Sequence, residues 1–214
     1  CLNSGEIVPL SNEMTMMFEP ADLAVASPAT VSRCGMIYMQ PKSLGLDPAI
    51  ASWMNTLPRA FRSEERMKIK QKMNCYLESS LAFLRRNLKE VVPSVDNNLS
   101  MSWMRLMDSF FDSYRYKDGV NEPPSTEMLD KLSRKLDPII NLSFVWSVMC
   151  TVTIEGRRRF DAYFRALMQL EPQSHPFPES GLVYDFFFDD ETQTWRNWMD
   201  LSEPYEHNRD AKFA

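Results

Sequence analysis

Glycine-rich phosphate-binding loops are absent from this sequence. It holds six glycines in 214 residues. No segment fits Gly-x-x-x-x-Gly-Lys-Ser/Thr or Gly-x-Gly-x-x-Gly, the patterns whose backbone N–H groups cradle phosphates. Gly-x-Ser-x-Gly and His-Glu-x-x-His, which mark serine hydrolases and zinc proteases, are missing as well. The chain therefore lacks a complete active site of these classes, and we expect it to bind no nucleotide by itself.

Cysteine and histidine are too few and too scattered to predict a metal site. The four cysteines contain no Cys-x-x-Cys pair, and His175 and His207 lie in proline-rich surroundings far from any cysteine. A metal site is therefore not expected, and the cysteine usage predicts a reducing, intracellular compartment.

Long apolar runs are also missing. No stretch approaches the ~18 consecutive apolar residues of a transmembrane helix, and no signal-peptide pattern opens the chain. The net charge of −5 and a pI of about 5.2 argue against a nucleic-acid-binding surface. Neither a membrane nor a nucleic acid is expected as a partner. With 44% hydrophobic and 25% charged residues, the composition fits one large or two small globular domains.

The two ends of the sequence do not look like the ends of a folding unit. It begins on Cys1-Leu2, without an initiator methionine and within a predicted strand. It stops at Asp210-Ala-Lys-Phe-Ala214 without a helix or turn. We therefore expect it to be a piece of a longer protein.

Residues 1–40 predict an α/β arrangement. Asn3-Ser4-Gly5 is a turn cluster that predicts a hairpin. Met14–Phe18 and Gly35–Met39 are short and apolar throughout, a pattern typical of central strands covered on both faces. Between them, Ser27 followed by Pro28 predicts an N-cap with proline in the first turn of a short helix.

Residues 41–173 predict a helical bundle. Helix starts are expected at Asp47, Ser63, Ser100, Ser125 and Pro138, and Gly156–Phe160 leads into a last helix. Apolar side chains recur every three or four residues along two of these helices. They are Met73, Leu77, Leu81, Leu84 and Leu88 in one, and Trp103, Leu106, Met107, Phe110, Phe111 and Tyr114 in the other. We interpret the aromatic set as the core of the bundle. The basic run Arg85-Arg86 with Lys89 is interpreted as a solvated face or a contact with a neighbouring module.

From residue 174 the pattern turns to β structure. Val183–Phe188 and Thr194–Trp198 flank Asp189–Gln193, which predicts a hairpin with a loop of about five residues. The tail from Ser202 is interpreted as a linker. The predicted fold class is therefore α/β plus all-α, divided into residues 1–40, 41–173 and 174–214.

One block of the sequence is specific enough to suggest a family. Phe18–Tyr38, which contains Ala26-Ser-Pro-Ala-Thr-Val-Ser-Arg-Cys-Gly-Met36, closely resembles a stretch of dynein heavy chains in the second AAA+ module of the motor ring. Further segments resemble the same module in the same order; they are Ser4–Ile7, Phe144–Val148, Gly156–Phe160 and Phe177–Asp185. The amino-acid sequence of these segments resembles axonemal inner-arm heavy chains more closely than cytoplasmic ones.

This resemblance implies where the missing phosphate-binding loop lies. In the family, that loop and the acidic Walker B strand lie just upstream of the residue at which this chain begins. Residues 1–40 would be the C-terminal part of the large α/β subdomain with its parallel sheet, and residues 41–173 the helical small (lid) subdomain. Residues 174–214 would form a hairpin and linker toward the next module. ATP or ADP with Mg²⁺ would be bound by the parent ring.

Arg33 falls where the resemblance implies an arginine finger. It would reach the ATP of the preceding module on the same polypeptide, where a guanidinium stabilises the charge that develops on the γ-phosphate oxygens. A short helix that ends just before a strand would give it a rigid mount. The alternative is an arginine that offsets the helix dipole and contacts water.

Two further residues are nucleotide-contact candidates by resemblance. Glu19 falls where AAA+ proteins place a γ-phosphate sensor, although Asn or Thr is more usual there. An unpaired glutamate would repel phosphate, which fits slow hydrolysis; the alternative is a strand-end glutamate that caps the turn of residues 21–24. Arg157 is chosen from three adjacent arginines as the contact with the module's own nucleotide, against the alternative of a solvated basic cluster.

These features predict a fragment of a dynein-like microtubule motor protein that completes a neighbour's ATPase site and relays nucleotide state around the ring. The parent would be an ATPase with a coiled coil. Its partners would be the neighbouring AAA+ modules and, through the parent, microtubules and dynein light and intermediate chains. Cytoplasm, cytoskeleton and cilium axoneme are the expected locations. A non-catalytic helical scaffold or protein-interaction module is the alternative.

Overall fold

The computed structural model describes Gly5, Pro9 and residues 11–39, 44–115, 124–170 and 173–203. The chain divides into two compact units, residues 1–43 and 44–214. The described structure is mainly helical, with one small antiparallel sheet of two strands.

In the described part of the first unit, the regular element is a short helix, α1 (Pro28–Val31). Its predicted cap is confirmed: Ser27 has extended backbone, and its side chain accepts a hydrogen bond from the Thr30 N–H at 3.2 Å. Pro28 occupies the first turn, where its missing N–H has no helical partner to lose.

The strands predicted at Met14–Phe18 and Gly35–Met39 are not formed. Both segments are described, and both have irregular backbone with exposed side chains; Met17 is 90% exposed and Ile37 is 87% exposed. A strand needs a neighbour that takes up its backbone N–H and C=O groups, and no described residue pairs with either segment. The predicted parallel sheet is thus not confirmed within residues 11–39. The hairpin predicted before them falls outside the described residues, apart from Gly5 and Pro9.

The second unit is a helical bundle. Its helices are α2 (Asp47–Thr56), α3 (Ser63–Asn87), α4 (Asp96–Phe111), α5 (Thr126–Val148) and α6 (Ile154–Met168). A short 3₁₀ turn, Asp112–Tyr114, continues α4. The most extensive helix–helix contact joins α4 and α5, and α3 also packs against α5, so α5 is the central helix.

The predicted apolar stripes form the core of this bundle. On α3, Met73, Leu77, Leu81 and Leu84 are buried, and on α4 the buried members of the stripe are Trp103, Met107 and Phe111, with Tyr114 just beyond. Leu88 and Leu106 are partly buried, and Phe110 is 38% exposed. The Trp103 indole N–H donates to the Ile140 carbonyl at 3.2 Å, and its ring meets Phe144 edge-on at 4.8 Å. The largest core side chain is therefore buried with its donor satisfied.

The predicted start of α3 at Ser63 is confirmed, although Ser63 makes no capping bond because the N-cap position is Arg62. Two other predicted helix boundaries are wrong. Ser100 lies inside α4, where its hydroxyl donates to the Asp96 carbonyl at 2.8 Å. Pro138 lies inside α5 instead of opening a new helix. Burial of the helix on both sides of the proline offsets the lost backbone hydrogen bond.

Arg66 on α3 ties the connection between α2 and α3. Its half-buried guanidinium donates to four backbone carbonyls at 2.8–3.3 Å. They belong to Met54, Leu57, Pro58 and Phe61. This one side chain satisfies the Met54 carbonyl in the last turn of α2, which has no helical partner, and three carbonyls of the connection that follows.

The predicted β-hairpin is confirmed. Strands β1 (Phe186–Asp189) and β2 (Thr194–Asn197) pair antiparallel, with Phe186 opposite Asn197 and Asp189 opposite Thr194. A second 3₁₀ turn, Trp198–Leu201, follows β2. The residues before β1 stay outside the sheet because their backbone is bound elsewhere: the Val183 N–H donates to Asp161 on α6 at 2.8 Å.

Candidate functional site

Arg33 lies just beyond the end of α1 with an exposed side chain. The Arg33 N–H donates to the Thr30 carbonyl at 3.2 Å, and the Cys34 N–H to the Val31 carbonyl at 3.1 Å, so the chain leaves the helix in a tight turn. None of residues 11–39 accepts a hydrogen bond or ion pair from its guanidinium. The predicted strand behind it is not formed, so the turn, and not a sheet, carries the side chain.

Glu19 is exposed on irregular backbone. The turn that follows it is capped by Asp22, whose Oδ1 accepts from the Ala24 N–H at 2.9 Å. The alternative role for Glu19, as the cap of this turn, is therefore wrong. Within the described part of the first unit no ion pair joins Glu19 to Arg33.

Arg157 lies in the first turn of α6 and is half-buried, whereas Arg158 and Arg159 are exposed. The Thr153 side chain caps this helix by accepting from the Gly156 N–H at 3.3 Å. The Arg157 guanidinium carbon lies 5.0 Å from the centre of the Tyr184 ring, a cation–π arrangement. Its Nε is buried, with no hydrogen-bond partner among the described residues. The structure thus distinguishes the three arginines: one packs against an aromatic ring and two lie in solvent.

Tyr184 is a fixed part of the second unit. It is 4% exposed, and its hydroxyl donates to the Met149 carbonyl just after α5 at 2.8 Å. Its ring meets Trp146 of α5 at 6.1 Å and Phe160 of α6 at 6.0 Å, both edge-on. Burial raises the pKa of Tyr184 above its ordinary value.

A buried charge cluster joins α3 and α5. Lys72 and Asp137 are each 1% exposed, and the Lys72 Nζ lies 3.8 Å from the Asp137 Oδ1. Lys68, whose side chain is 36% exposed, approaches the same oxygen at 3.0 Å. The Asp137 Oδ2 accepts from the Ser174 N–H at 2.8 Å. Burial alone raises the pKa of Asp137, but the Ser174 N–H and the Lys68 ammonium outweigh it and hold the pKa below its ordinary value.

Residues 173–177, which we call the strap, connect this cluster to the hairpin. The Gln173 side-chain amide donates to the Tyr76 hydroxyl and to the Met168 carbonyl, each at 3.2 Å. It also accepts from the Asn141 amide at 3.1 Å. At the other end of the strap, Trp195 of β2 stacks on Phe177 at 4.0 Å between ring centres. Sequence reasoning missed the cluster and the strap, because the residues that meet there are up to about a hundred positions apart in the chain and match no motif.

The basic run on α3 has a structural role at one of its members. Arg85 forms ion pairs with Glu90 and Asp96 and donates to the Ser94 carbonyl at 2.9 Å. Burial alone raises the pKa of Glu90, but hydrogen bonds from Ser94 and Thr151 and the Arg85 charge lower it overall. Arg85 therefore ties the end of α3 to the start of α4, whereas Arg86 and Lys89 are exposed.

Two classes of site are missing from what the structure describes. None of the described helices has the length and apolar content that a bilayer crossing requires. Across residues 11–39, 44–115, 124–170 and 173–203, no three His, Cys, Asp or Glu side chains come together as metal ligands.

Comparison with known proteins identifies the second unit. A family model described as the dynein heavy chain AAA lid domain matches residues 69–200, more than half of the chain. The chain is 40% identical to dynein axonemal heavy chain 1 of Mus musculus and 39% identical to that of Homo sapiens, in each case over 100% of this chain and 5% of the relative. It is 37% identical to dynein axonemal heavy chain 3 of Homo sapiens over 92% of this chain and 5% of the relative. The chain therefore spans about a twentieth of the length of these relatives.

Proposed function

Since this chain belongs to the dynein heavy chain family and contains its AAA lid domain, we propose that it forms part of the second AAA+ module of a motor ring. In this proposal Arg33 acts in trans on the ATP of the preceding module. The helical bundle, as the lid, relays the state of that nucleotide around the ring.

The exposure of the Arg33 guanidinium is the observation that supports the arginine finger. Its guanidinium is exposed and has no partner among residues 11–39, within the block that resembles the second module. A guanidinium keeps its charge, and its planar fork can bind two phosphate oxygens at once. In other nucleotide hydrolases such an arginine contributes about 10³- to 10⁵-fold in rate.

The apolar segments of the first unit support a place within a larger sheet. Met14–Phe18 and Gly35–Met39 are apolar on both faces yet exposed, a pattern that suits central parallel strands. We propose that they become strands when the rest of the large α/β subdomain of the parent supplies neighbours on both sides. Exposed apolar segments of this kind otherwise favour aggregation.

The parent module would hold ATP or ADP with Mg²⁺ on a phosphate-binding loop that this chain lacks. This chain would contribute Arg157 from the start of α6 to the phosphates, and Glu19 at the sensor position. A half-buried arginine without an ion-pair partner among the described residues fits an anionic group. A glutamate beside phosphate fits slow turnover in this module.

The partners and location follow from the family. We propose contacts with the neighbouring AAA+ modules of the same polypeptide and, through the parent, with microtubules and with dynein light and intermediate chains. Because the relatives are named axonemal dynein heavy chains, the proposed location is the axoneme of a cilium, within the cytoplasmic cytoskeleton. An inner-arm type is the proposed class.

The experiment is Arg33→Ala in the full-length parent, with microtubule-stimulated ATP hydrolysis as the readout. We expect turnover to fall by about 10³-fold or more. Arg105→Ala is the control, since Arg105 is an exposed arginine on α4 and its loss should leave turnover within about twofold. If Arg33→Ala also stays within about twofold, the finger is refuted and the scaffold role is favoured.

A further inference from the structure

The first turn of α6 presents three arginines in three directions. Successive residues of an α-helix point about 100° apart, so Arg157, Arg158 and Arg159 face different surroundings. Among the described residues, Arg157 is the one of the three that packs on an aromatic ring, with its guanidinium carbon 5.0 Å from the centre of Tyr184. The other two are exposed and keep the rotamer freedom of a solvated side chain.

The ring beneath Arg157 is held on three sides. The Tyr184 hydroxyl is bound to the Met149 carbonyl after α5, and the ring packs against Phe160 of α6 and Trp146 of α5. The preceding Val183 N–H is bound to Asp161 of α6. Tyr184 is therefore a rigid surface that belongs to the segment leading into β1.

Tyr184 covers part of the Arg157 guanidinium. Its ring centre lies 5.0 Å from the guanidinium carbon, and Nε is buried without a hydrogen-bond partner among the described residues. The two Nη groups are then the donors that remain for an anion, and they form the fork that matches two oxygens of a phosphate. A guanidinium that is already held in place loses less conformational entropy when it binds than a free side chain does.

We propose that Tyr184 is the positioning residue of Arg157, holding its Nη groups toward the phosphates of the nucleotide in the same module. The proposal rests on the proposed function, in which Arg157 contacts that nucleotide. It explains why one of three adjacent arginines serves this role, and it makes the contact depend on the segment before the hairpin. A displacement of that segment removes the support of the arginine without touching the nucleotide.

The test measures nucleotide affinity in the parent motor domain, with the phosphate-binding loops of the other modules inactivated. Binding of a fluorescent ADP is titrated for Arg157→Ala, Tyr184→Leu, Tyr184→Phe and the double variant Arg157→Ala/Tyr184→Leu. Arg158→Ala is the matched control on the same turn. We expect Arg157→Ala to weaken binding about tenfold or more, because a charge-assisted hydrogen bond to phosphate is lost. Arg158→Ala should stay within about twofold.

Tyr184→Leu should weaken binding by about two- to thirtyfold, the range of a cation–π contact. It should have no further effect when Arg157 is already alanine. Tyr184→Phe keeps the ring and should bind within about twofold of the wild type. A purely structural tyrosine would instead lower affinity equally with and without Arg157, and that result overturns the positioning role.

Failure of the proposed function looks different. If Arg157→Ala itself leaves ADP affinity unchanged, Arg157 does not contact the nucleotide, and the positioning role falls with it. If Arg157→Ala weakens binding but Tyr184→Leu does not, only the positioning role is wrong. Arg157→Lys provides a second route if Tyr184→Leu does not fold. It keeps the charge but loses the flat face and the fork, and wild-type affinity in that variant overturns the inference.

Discussion

Replacing Asp137 by asparagine removes one negative charge from the interior of the second unit and leaves the size of the side chain almost unchanged. Lys72 is 1% exposed and would stay buried after the loss of the carboxylate that now lies 3.8 Å from its Nζ, with the Tyr76 hydroxyl still 3.3 Å away. Lys68 is 36% exposed, so it can turn toward water when its partner is lost. The variant therefore measures the free-energy cost of removing the carboxylate beside a buried ammonium.

The expected loss of folding free energy follows from the burial of the Lys72–Asp137 pair. Breaking a buried ion pair on one side typically costs about 3–5 kcal/mol, because the remaining charge is left in a poorly solvating interior. Asp130→Asn on the same helix is the matched control. The Arg62–Asp130 pair is 40% and 52% exposed, and an exposed pair contributes about 0–1 kcal/mol. Asp137→Asn should thus destabilise the bundle several times more than Asp130→Asn.

Hydrogen exchange measured by mass spectrometry on the parent motor domain is the assay, because it reports opening free energies segment by segment. We expect the strap, residues 173–177, and the central part of α5 to lose protection in Asp137→Asn, and neither to change in Asp130→Asn. A double variant, Asp137→Leu with Lys72→Met, should recover most of the loss, since apolar replacement of a whole buried pair is often neutral. Equal effects of Asp137→Asn and Asp130→Asn would refute the reasoning.

The Asp137 carboxylate also leads to a prediction of how folding stability depends on pH. The pKa of Asp137 is lowered in the folded state, because hydrogen bonding and lysine charge outweigh the effect of burial. A group of this kind contributes stability that is fully present above its unfolded pKa of about 3.9 and is lost as the pH falls through the folded pKa. The stability difference between wild type and Asp137→Asn should therefore narrow as the pH drops below about 4. A constant difference down to pH 2 would contradict this account.

Two further predictions use the same assay. Arg66→Ala should lower the opening free energy around α2 and the start of α3 by about 2–3 kcal/mol, because backbone carbonyls lose a charged donor. The control is Lys70→Ala, at an exposed position of the same helix, which should change this free energy by no more than about 0.5 kcal/mol. Similar effects of the two variants would argue against the role of Arg66. Ser125→Ala should cost about 1 kcal/mol at the start of α5, since its side chain accepts from the Met128 N–H. Ser63→Ala should be near neutral, because Ser63 makes no capping bond. A larger effect of Ser63→Ala than of Ser125→Ala would contradict this account.

Local patterns in the sequence predicted much of the second unit. The apolar spacing of α3 and α4 identified the residues that are buried, and Ser125 was identified as a helix start. The boundary errors share one cause: tertiary packing overrode a local signal. Ser100 is a good capping residue by type, but the apolar face of α4 extends one turn further toward Asp96. Pro138 is a helix breaker by type, but α5 is buried on both sides of it.

The candidate site was predictable to a lesser degree. The block around Arg33 was recognisable because many adjacent residues match a family pattern. Arg157 could not be separated from Arg158 and Arg159 on physical grounds, because the difference between them is a ring that lies 27 positions further along the chain. No local signal connects those two positions.

The sequence by itself determined the family, the helical character of residues 44–115 and 124–170, and the hairpin near the end, because each depends on neighbours within a few turns of the chain. The tertiary structure decided which charges are buried and which of the three adjacent arginines packs against an aromatic ring. Lys72 and Asp137 meet across two helices, and Tyr184 reaches Arg157 from the segment before β1. Such contacts depend on how distant elements pack. The strands predicted at Met14–Phe18 and Gly35–Met39 show the same dependence, since an apolar run becomes a strand only where other chain segments complete its hydrogen bonds.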